Sequence, residues 1–357
     1  MSTHGPARVL ADLLASASLR CPLCNAALAA YAAAAPVAAV AALAADLPEL
    51  VCPACGHRPA HAADIVDLMP EPSADVQREL AGMVLESADK NRHWSAYKLQ
   101  RVERVSAFAD RLAESAKEPF DYYGSTLINF NHAVELIGRP AAGRCLEVGG
   151  DQDCPFSLQM ARAGMLASVA NIYHVHDGSA RDHTLLKFIA DMHRLPFADN
   201  SFDLVFASAC THHSHDLAAC IGELARVCRP GGRVLILNDP TDGLLKHAGD
   251  AFRKRPSHDR NALVHENEYT SLQYHRLLRA AGLRLDVSFF TPYYEQRLQQ
   301  RDLTEVRLGL LARVAALLWK HRAFRSALHH RVVLTLLQRI LGLQINLIAT
   351  KPIPRRR

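Results

Sequence analysis

Residues 191–213 read DMHRLPFADNSFDLVFASACTHH, and residues 223–239 read ELARVCRPGGRVLILND. A loop carrying Leu195-Pro196-Phe197 leads into the apolar run Phe202–Ala207. A helical pattern follows, then Pro230-Gly231-Gly232, then a second apolar run, Arg233–Leu237. Short, nearly continuous apolar runs separated by a helix are the signature of parallel strands covered on both faces. The stretch is one strand–helix–turn–strand unit.

The same alternation extends in both directions. Arg144–Val148, Leu166–Tyr173 and Lys187–Ala190 suit strands before it, and Leu285–Phe290 and Ile345–Thr350 suit strands after it. Helical patterns fall at Phe156–Ala163 and at Tyr269–Ala281, the latter closing on Gly282, a natural C-terminal cap. Seven strands interleaved with helices predict an α/β fold, a Rossmann-like doubly wound sheet that is mostly parallel.

At 357 residues, 49% of them hydrophobic, the chain is long enough for one large domain with an appendage or for two domains, and too apolar for wholesale disorder. A net charge of +5 is too small by itself to imply nucleic acid. The charge is uneven, however: Arg297–Arg339 is rich in Arg, and the chain ends in three more. Nine cysteines, an odd number, do not fit a secreted disulfide scaffold. The first twenty residues lack a basic start followed by an apolar run, so a cytoplasmic protein is expected. Ala26–Ala45 is uncharged over about the length of a membrane span. It is nearly all Ala, with Pro36 inside it, and reads as an insertion.

That insertion lies between Cys21-Pro-Leu-Cys24 and Cys52-Pro-Ala-Cys55-Gly56. Each CxxC bends the backbone so that two sulfurs face one point, and two such knuckles can hold a Zn²⁺ tetrahedrally. Cys21, Cys24, Cys52 and Cys55 are therefore the expected metal ligands. The site is closed and structural, and His57 and His61 are superfluous to it. The expected organisation is a zinc-ribbon lobe over 1–70, a helical linker or lid over 71–140 containing Trp94, Tyr97, Tyr122 and Tyr123, and a main domain over 141–357. That domain carries a helical insert at about 294–343.

The residues of the main domain resemble class I S-adenosylmethionine (SAM) methyltransferases of the type 11 kind over about 141–290 plus the final strand. The resemblance implies an enzyme, a transferase using SAM, with Asp191 and Met192 at the adenine end of the cofactor and the Pro-Gly-Gly turn only shaping the fold. In that family the first strand ends in an acid and a glycine-rich turn, here Glu147-Val148-Gly149-Gly150-Asp151. Glu147, Gly149, Gly150 and Asp151 are thereby implied as cofactor-binding. Asp151 and Asp153 depart from the family's later glycines. The ribose position falls on Asn171, which can accept one hydroxyl bond and donate another. Asp177 is the fallback if the strand is longer. Asp203 is commonly structural in the family. Ser208 opens the segment Ser208-Ala-Cys-Thr-His212-His213, which borders the methyl-transfer pocket in the resemblance. His212 or His213 there is a candidate general base or a lining residue.

The sequence around Asp64, ADIVDLMP, is similar to the segment after the ribbon in some bacterial methyltransferases. Residues 265–282 resemble methyltransferases of envelope-polysaccharide and secondary-metabolite pathways. A small-molecule, sugar or lipid-linked acceptor is expected, with the basic insert available for membrane-surface contact. Two alternatives stay open. One is an RNA methyltransferase, although aromatic residues interleaved with basic ones are sparse and no Asn/Asp-Pro-Pro-Tyr motif follows the fourth strand. The other is a non-catalytic, zinc-bearing interaction protein.

Overall fold

The computed structural model describes residues 5–31, 47–62, 64–82, 122–150, 154–174, 185–245, 267, 269–292, 318 and 320–354. Trp94, Tyr97, Asp151, Asp153, Asp177, most of the Ala-rich run and residues 293–317 of the insert lie outside them, and Tyr122 and Tyr123 are described in backbone only.

In chain order the named elements are α1 (Pro6–Ala15), β1 (Ala29–Ala30), β2 (Leu50–Val51), β3 (His61–Ala62), β4 (Ile65–Asp67), α2 (Tyr122–Leu136), β5 (Arg144–Val148), α3 (Pro155–Ala163), β6 (Leu166–Asn171), β7 (Leu186–Ile189), β8 (Phe202–Ser208), α4 (Leu217–Val227), β9 (Cys228–Asp239), α5 (Ser271–Ala280), β10 (Arg284–Ser288), α6 (Arg322–His329), α7 (Arg331–Leu341) and β11 (Ile345–Thr350). A 3₁₀ turn spans Thr211–His213. β1 and β2 form a small antiparallel pair beside the cysteines.

The main sheet has the order β10-β11-β9-β8-β5-β6-β7-β4-β3. Strands β4 to β9 run parallel, and β11 is antiparallel to both its neighbours. All seven expected strands are present. The sheet nevertheless has nine, because the hairpin β3–β4 from the N-terminal lobe adds to the edge at β7. Strands of two and three residues carry no readable periodicity, so the sequence did not announce them.

The expected strand Arg233–Leu237 begins at Cys228 instead. Phe202 pairs with Cys228 and Leu204 with Arg233, so residues 229–232 loop out opposite Asp203. Pro230 cannot donate to a ladder, and a Cβ on Gly232 would sit 2.8 Å from the Asp203 carbonyl oxygen. Asp203 accepts from the Arg144 N–H at 2.7 Å and pairs with Arg229. It pins this bulge to the start of β5.

Each sheet face has its own core. On one face, α2 and α3 bring Leu127, Phe130, Leu158 and Met160 onto Phe206 and Val169. On the other, α4 lays down Leu217, Cys220, Ile221 and Leu224, an i, i+3, i+4, i+7 stripe. Leu10, Leu13, Leu19, Leu50 and Cys52 of the N-terminal lobe join the same core, so the lobe packs on the sheet. The Arg20 N–H donates to Pro196 O at 2.9 Å and the Ala198 N–H to Ser18 O at 2.7 Å. The buried Lys187 of β7 pairs with the buried Asp64 at 3.7 Å.

α5 starts at Ser271, two residues later than its apolar pattern, because Thr270 and Gln273 form a reciprocal capping box. Thr270→Ala is expected to cost about 1 kcal/mol in urea unfolding, with an unchanged slope. Among the described residues, no helix is long and apolar enough to cross a membrane.

Candidate functional site

Two constellations carry chemistry. The first is the cysteine cluster. The sulfurs of Cys21, Cys24, Cys52 and Cys55 all lie within 4.8 Å of one another. Cys21 Sγ is 3.6 Å from Cys55 Sγ, and Cys24 Sγ is 3.4 Å from Cys52 Sγ. Four ligands at the usual Zn–S length in a tetrahedron stand about 3.8 Å apart, so the donor set and its spacing fit Zn²⁺ with no position left open. Burial opposes ionisation of Cys52, but the N–H groups of Cys55 and Ala54 and the Cys24 thiol outweigh it and bring the thiol down to about 7. N–H bonds from the turns favour the thiolate at Cys52, while Cys24 is pushed up and the neighbouring sulfurs and burial push Cys55 up to about 12, so without a metal the cluster favours one thiolate held by its neighbours. His57 and His61 are not part of the cluster.

The second is a cleft of about 190 Å³ at the carboxyl ends of the parallel strands, where open α/β sheets place ligands. Its floor is the end of β5. Gly149 has φ +74°, and any Cβ there would meet the Cys210 side chain. Its N–H donates to Ala170 O at 2.8 Å, tying the turn to β6. Asn171 holds the turn from the other side. Its Nδ2 donates to Gly150 O at 2.7 Å, and its Oδ1 accepts from the Ile172 N–H at 2.8 Å.

Asp191 and Met192 form the next wall. Asp191 Oδ1 accepts from the His193 N–H at 2.8 Å and faces His193 Nδ1 at 2.6 Å. The other ring nitrogen of His193 is 2.7 Å from Ser214 Oγ, and the ring packs against that of His215, tilted by 39° with centroids 3.8 Å apart. Burial pushes the Asp191 carboxyl up. The His193 hydrogen bonds and the nearby imidazoles of His193 and His215 outweigh it and hold the carboxyl below its usual value. Asp191 is thus ionised and fixed, with Oδ2 taking no hydrogen bond among the described residues.

The far side comes from the 3₁₀ turn and from residues 74–82. Asp75, Val76 and Glu79 line the cleft, and Glu79 Oε1 lies 3.3 Å from Nδ1 of His213, which also lines it. The chain segment that follows the cysteine lobe therefore closes one side of the cleft. His212 packs against His213, its ring tilted by 39°, but turns away from the cleft. Its Nδ1 faces the buried Asp239 at 2.8 Å, and it is not among the lining residues. Cys210 lines the cleft as a neutral thiol donating to Val148 O, since burial pushes its pKa well up.

Of the expected cofactor residues, the structure brings together Gly149, Asn171, Asp191 and Met192. Glu147 stands behind the turn: its carboxylate accepts from Ser157 N–H at 3.0 Å and Ser157 Oγ at 2.6 Å, at the start of α3. Gly150 contributes its carbonyl to Asn171 and does not line the cleft. Ser208 also lies outside it, because its hydroxyl accepts from Asn238, which bonds Asn129 of α2. Asp151 lies outside the described residues. Sequence reasoning missed Asp75, Glu79, His193 and His215. The i, i+2 spacing of Asp191 and His193 was a usable signal for a locked imidazole. Nothing in the sequence pointed from residue 79 to residue 213.

The fold is an open, mainly parallel α/β sheet with a cleft at its carboxyl edge, preceded by a four-cysteine lobe. Residues 163–236 match the family described as a methyltransferase domain. Among curated proteins, the chain is 33% identical over 132 residues to the ubiquinone/menaquinone biosynthesis C-methyltransferase UbiE of Pseudomonas putida, covering 33% of this chain and 51% of that one. It is 34% identical over 80 residues to the demethylmenaquinone methyltransferase of Corynebacterium glutamicum, covering 22% and 35%. The chain thus spans about a third to a half of the length of these relatives. Among solved structures, one match is geranyl diphosphate C-methyltransferase from Streptomyces coelicolor. It was solved with Mg²⁺, geranyl diphosphate and S-adenosyl-L-homocysteine, and shows 13% identity, a TM-score of 0.40 and coverage of 63% and 79%.

Proposed function

We propose that this protein is a SAM-dependent methyltransferase acting on a small-molecule, sugar or lipid-linked acceptor, with a structural Zn²⁺ in its N-terminal lobe. The observation that carries the reading is the convergence of Gly149, Asn171 and an ionised, half-satisfied Asp191 on one cleft, within and beside the segment that matches the methyltransferase family.

The residues present fit the cofactor. Gly149 lets the backbone approach a ligand where a side chain would collide with Cys210. Asp191 Oδ2 is available to accept from an amine, and Met192 offers an apolar wall. Asn171 is a candidate partner for ribose hydroxyls on whatever bonding capacity the turn leaves it.

When bound, SAM supplies an already activated methyl group on a sulfonium. The chain's task is then to orient the acceptor and exclude water. Residues 74–82 close the cleft side nearest the 3₁₀ turn. His213 is the group positioned to take a proton from the acceptor, and Glu79, 3.3 Å from its Nδ1, steadies its ring. His212, held by Asp239, packs behind it.

Calorimetry with SAM on wild type and Asp191→Ala tests this. Loss of a charge-assisted hydrogen bond of about 2 kcal/mol should weaken binding roughly thirtyfold. A wild-type protein that gives neither heat nor a thermal shift with SAM or its demethylated product would remove the enzymatic reading and leave an interaction protein on this scaffold.

A further inference from the structure

From residue 306 to residue 357 the sequence holds eleven Lys and Arg and not one Asp or Glu. The whole chain is only +5, so this last seventh carries the positive charge while the rest has an excess of acid. Among the described residues, Lys320, Arg322 and Arg339 of this segment are exposed, and they neighbour an apolar surface. Of the ten large apolar side chains left exposed among the described residues, six belong to the α6–α7 segment and the turn packed against it. Val332 is 68% exposed and Leu336 53%, one helical turn apart on α7, with Arg339 three positions further on the same face. Leu334 and Gln338, on the opposite face, are fully buried. Gly243 packs directly on Gly342 at the end of α7, which sets the exposed Leu244 and Leu245 beside Leu341. Lys320 and Arg322 are exposed at the start of α6.

We infer that this face is a docking surface for an anionic phospholipid bilayer. A helix that shows a basic rim around aliphatic side chains, and is far too short to span, has the chemistry of a helix lying in the headgroup region. Charge complementarity selects the anionic leaflet, and the exposed Leu and Val select hydrocarbon. A nucleic-acid surface would gain nothing from aliphatic residues and would call for aromatic stacking, and none of the six is aromatic. The inference goes beyond the methyltransferase reading and does not depend on it.

The test is sedimentation of the full-length protein with vesicles of phosphatidylcholine alone or with one quarter phosphatidylglycerol, at low and high salt. Binding is expected only to the anionic vesicles and should weaken steeply with salt. Each Lys or Arg near such a surface is worth roughly fivefold in partitioning, so Arg322→Gln with Arg339→Gln should lower it roughly twenty-fivefold. Val332→Ser with Leu336→Ser should also release the protein. Both pairs are solvent-facing, so thermal melts and SAM calorimetry should match wild type; this separates loss of docking from loss of the fold or of the cofactor site. Three results would overturn the inference: equal binding to neutral and anionic vesicles, retained binding by both double variants, or a poly(U) competitor that binds the same face and displaces the vesicles. A shift from dimer to monomer in the Val332/Leu336 variant would also overturn it, by assigning the face to a second copy.

Discussion

Cys52→Ser is expected to release one equivalent of zinc per chain and to lower stability by at least about 4 kcal/mol, a fall of roughly 8 °C or more in the melting temperature. The size follows from where the cluster sits. Isolated zinc knuckles take most of their folding free energy from the metal. Here the cluster also anchors a wall of the main core: Cys52 is wholly buried, and Leu19, Leu50 and Leu68 from the lobe pack in one cluster with Phe188 and Phe197 of the sheet domain. Losing the metal therefore loosens the lobe and strips cover from β7. Elemental analysis beside a calorimetric melt reads both effects. A protein purified without zinc that melts no lower in the variant would refute the assignment.

Asp64→Ala is expected to cost 3–5 kcal/mol, about the cost of stranding a buried charge. The Lys187 and Asp64 side chains are 6% and 7% exposed, and Asp64 is the only ion-pair partner of Lys187 among the described residues. Attraction between the two charges does little more than offset the cost of taking both out of water, so the pair adds little net stability while either half alone is costly. The double variant Asp64→Leu, Lys187→Met should accordingly recover most of the loss. Denaturant melts of the three proteins decide the point. Additive losses in the double variant would show that the pair is not an isolated ionic contact.

The strands were legible where burial on both faces made them continuous apolar runs. Arg144–Val148 and Ile345–Thr350 appear with the boundaries their sequences predict. The cysteine cluster was equally legible, because CxxC fixes two sulfurs locally and only one long-range meeting remained to be inferred. The β3–β4 hairpin was hidden by its brevity. It is held by pairing to a strand distant in sequence and by Asp64, whose role appears only once Lys187 faces it. The cleft divides in the same way. Gly149, Asn171 and Asp191 lie at strand ends, where motif spacing locates them. Glu79 reaches the cleft from an element outside the sheet, and no local pattern encodes that arrival. Ser208 illustrates the opposite error: it stands at a suitable strand end, but Asn238, in a left-handed backbone conformation with φ +62°, claims its hydroxyl.

The edge addition of β4 also dictates a schedule for the nascent polypeptide. Ile65 lies beside Lys187, its parallel partner about 120 residues downstream. At 5–20 residues per second, the ribosome delivers that partner roughly 6 to 25 s after the hairpin has been made. Throughout that interval the emerging chain holds an unpaired hairpin edge and a half-covered apolar lobe. A thiol cluster that captures its ion early would keep the waiting segment compact until the sheet arrives to receive it.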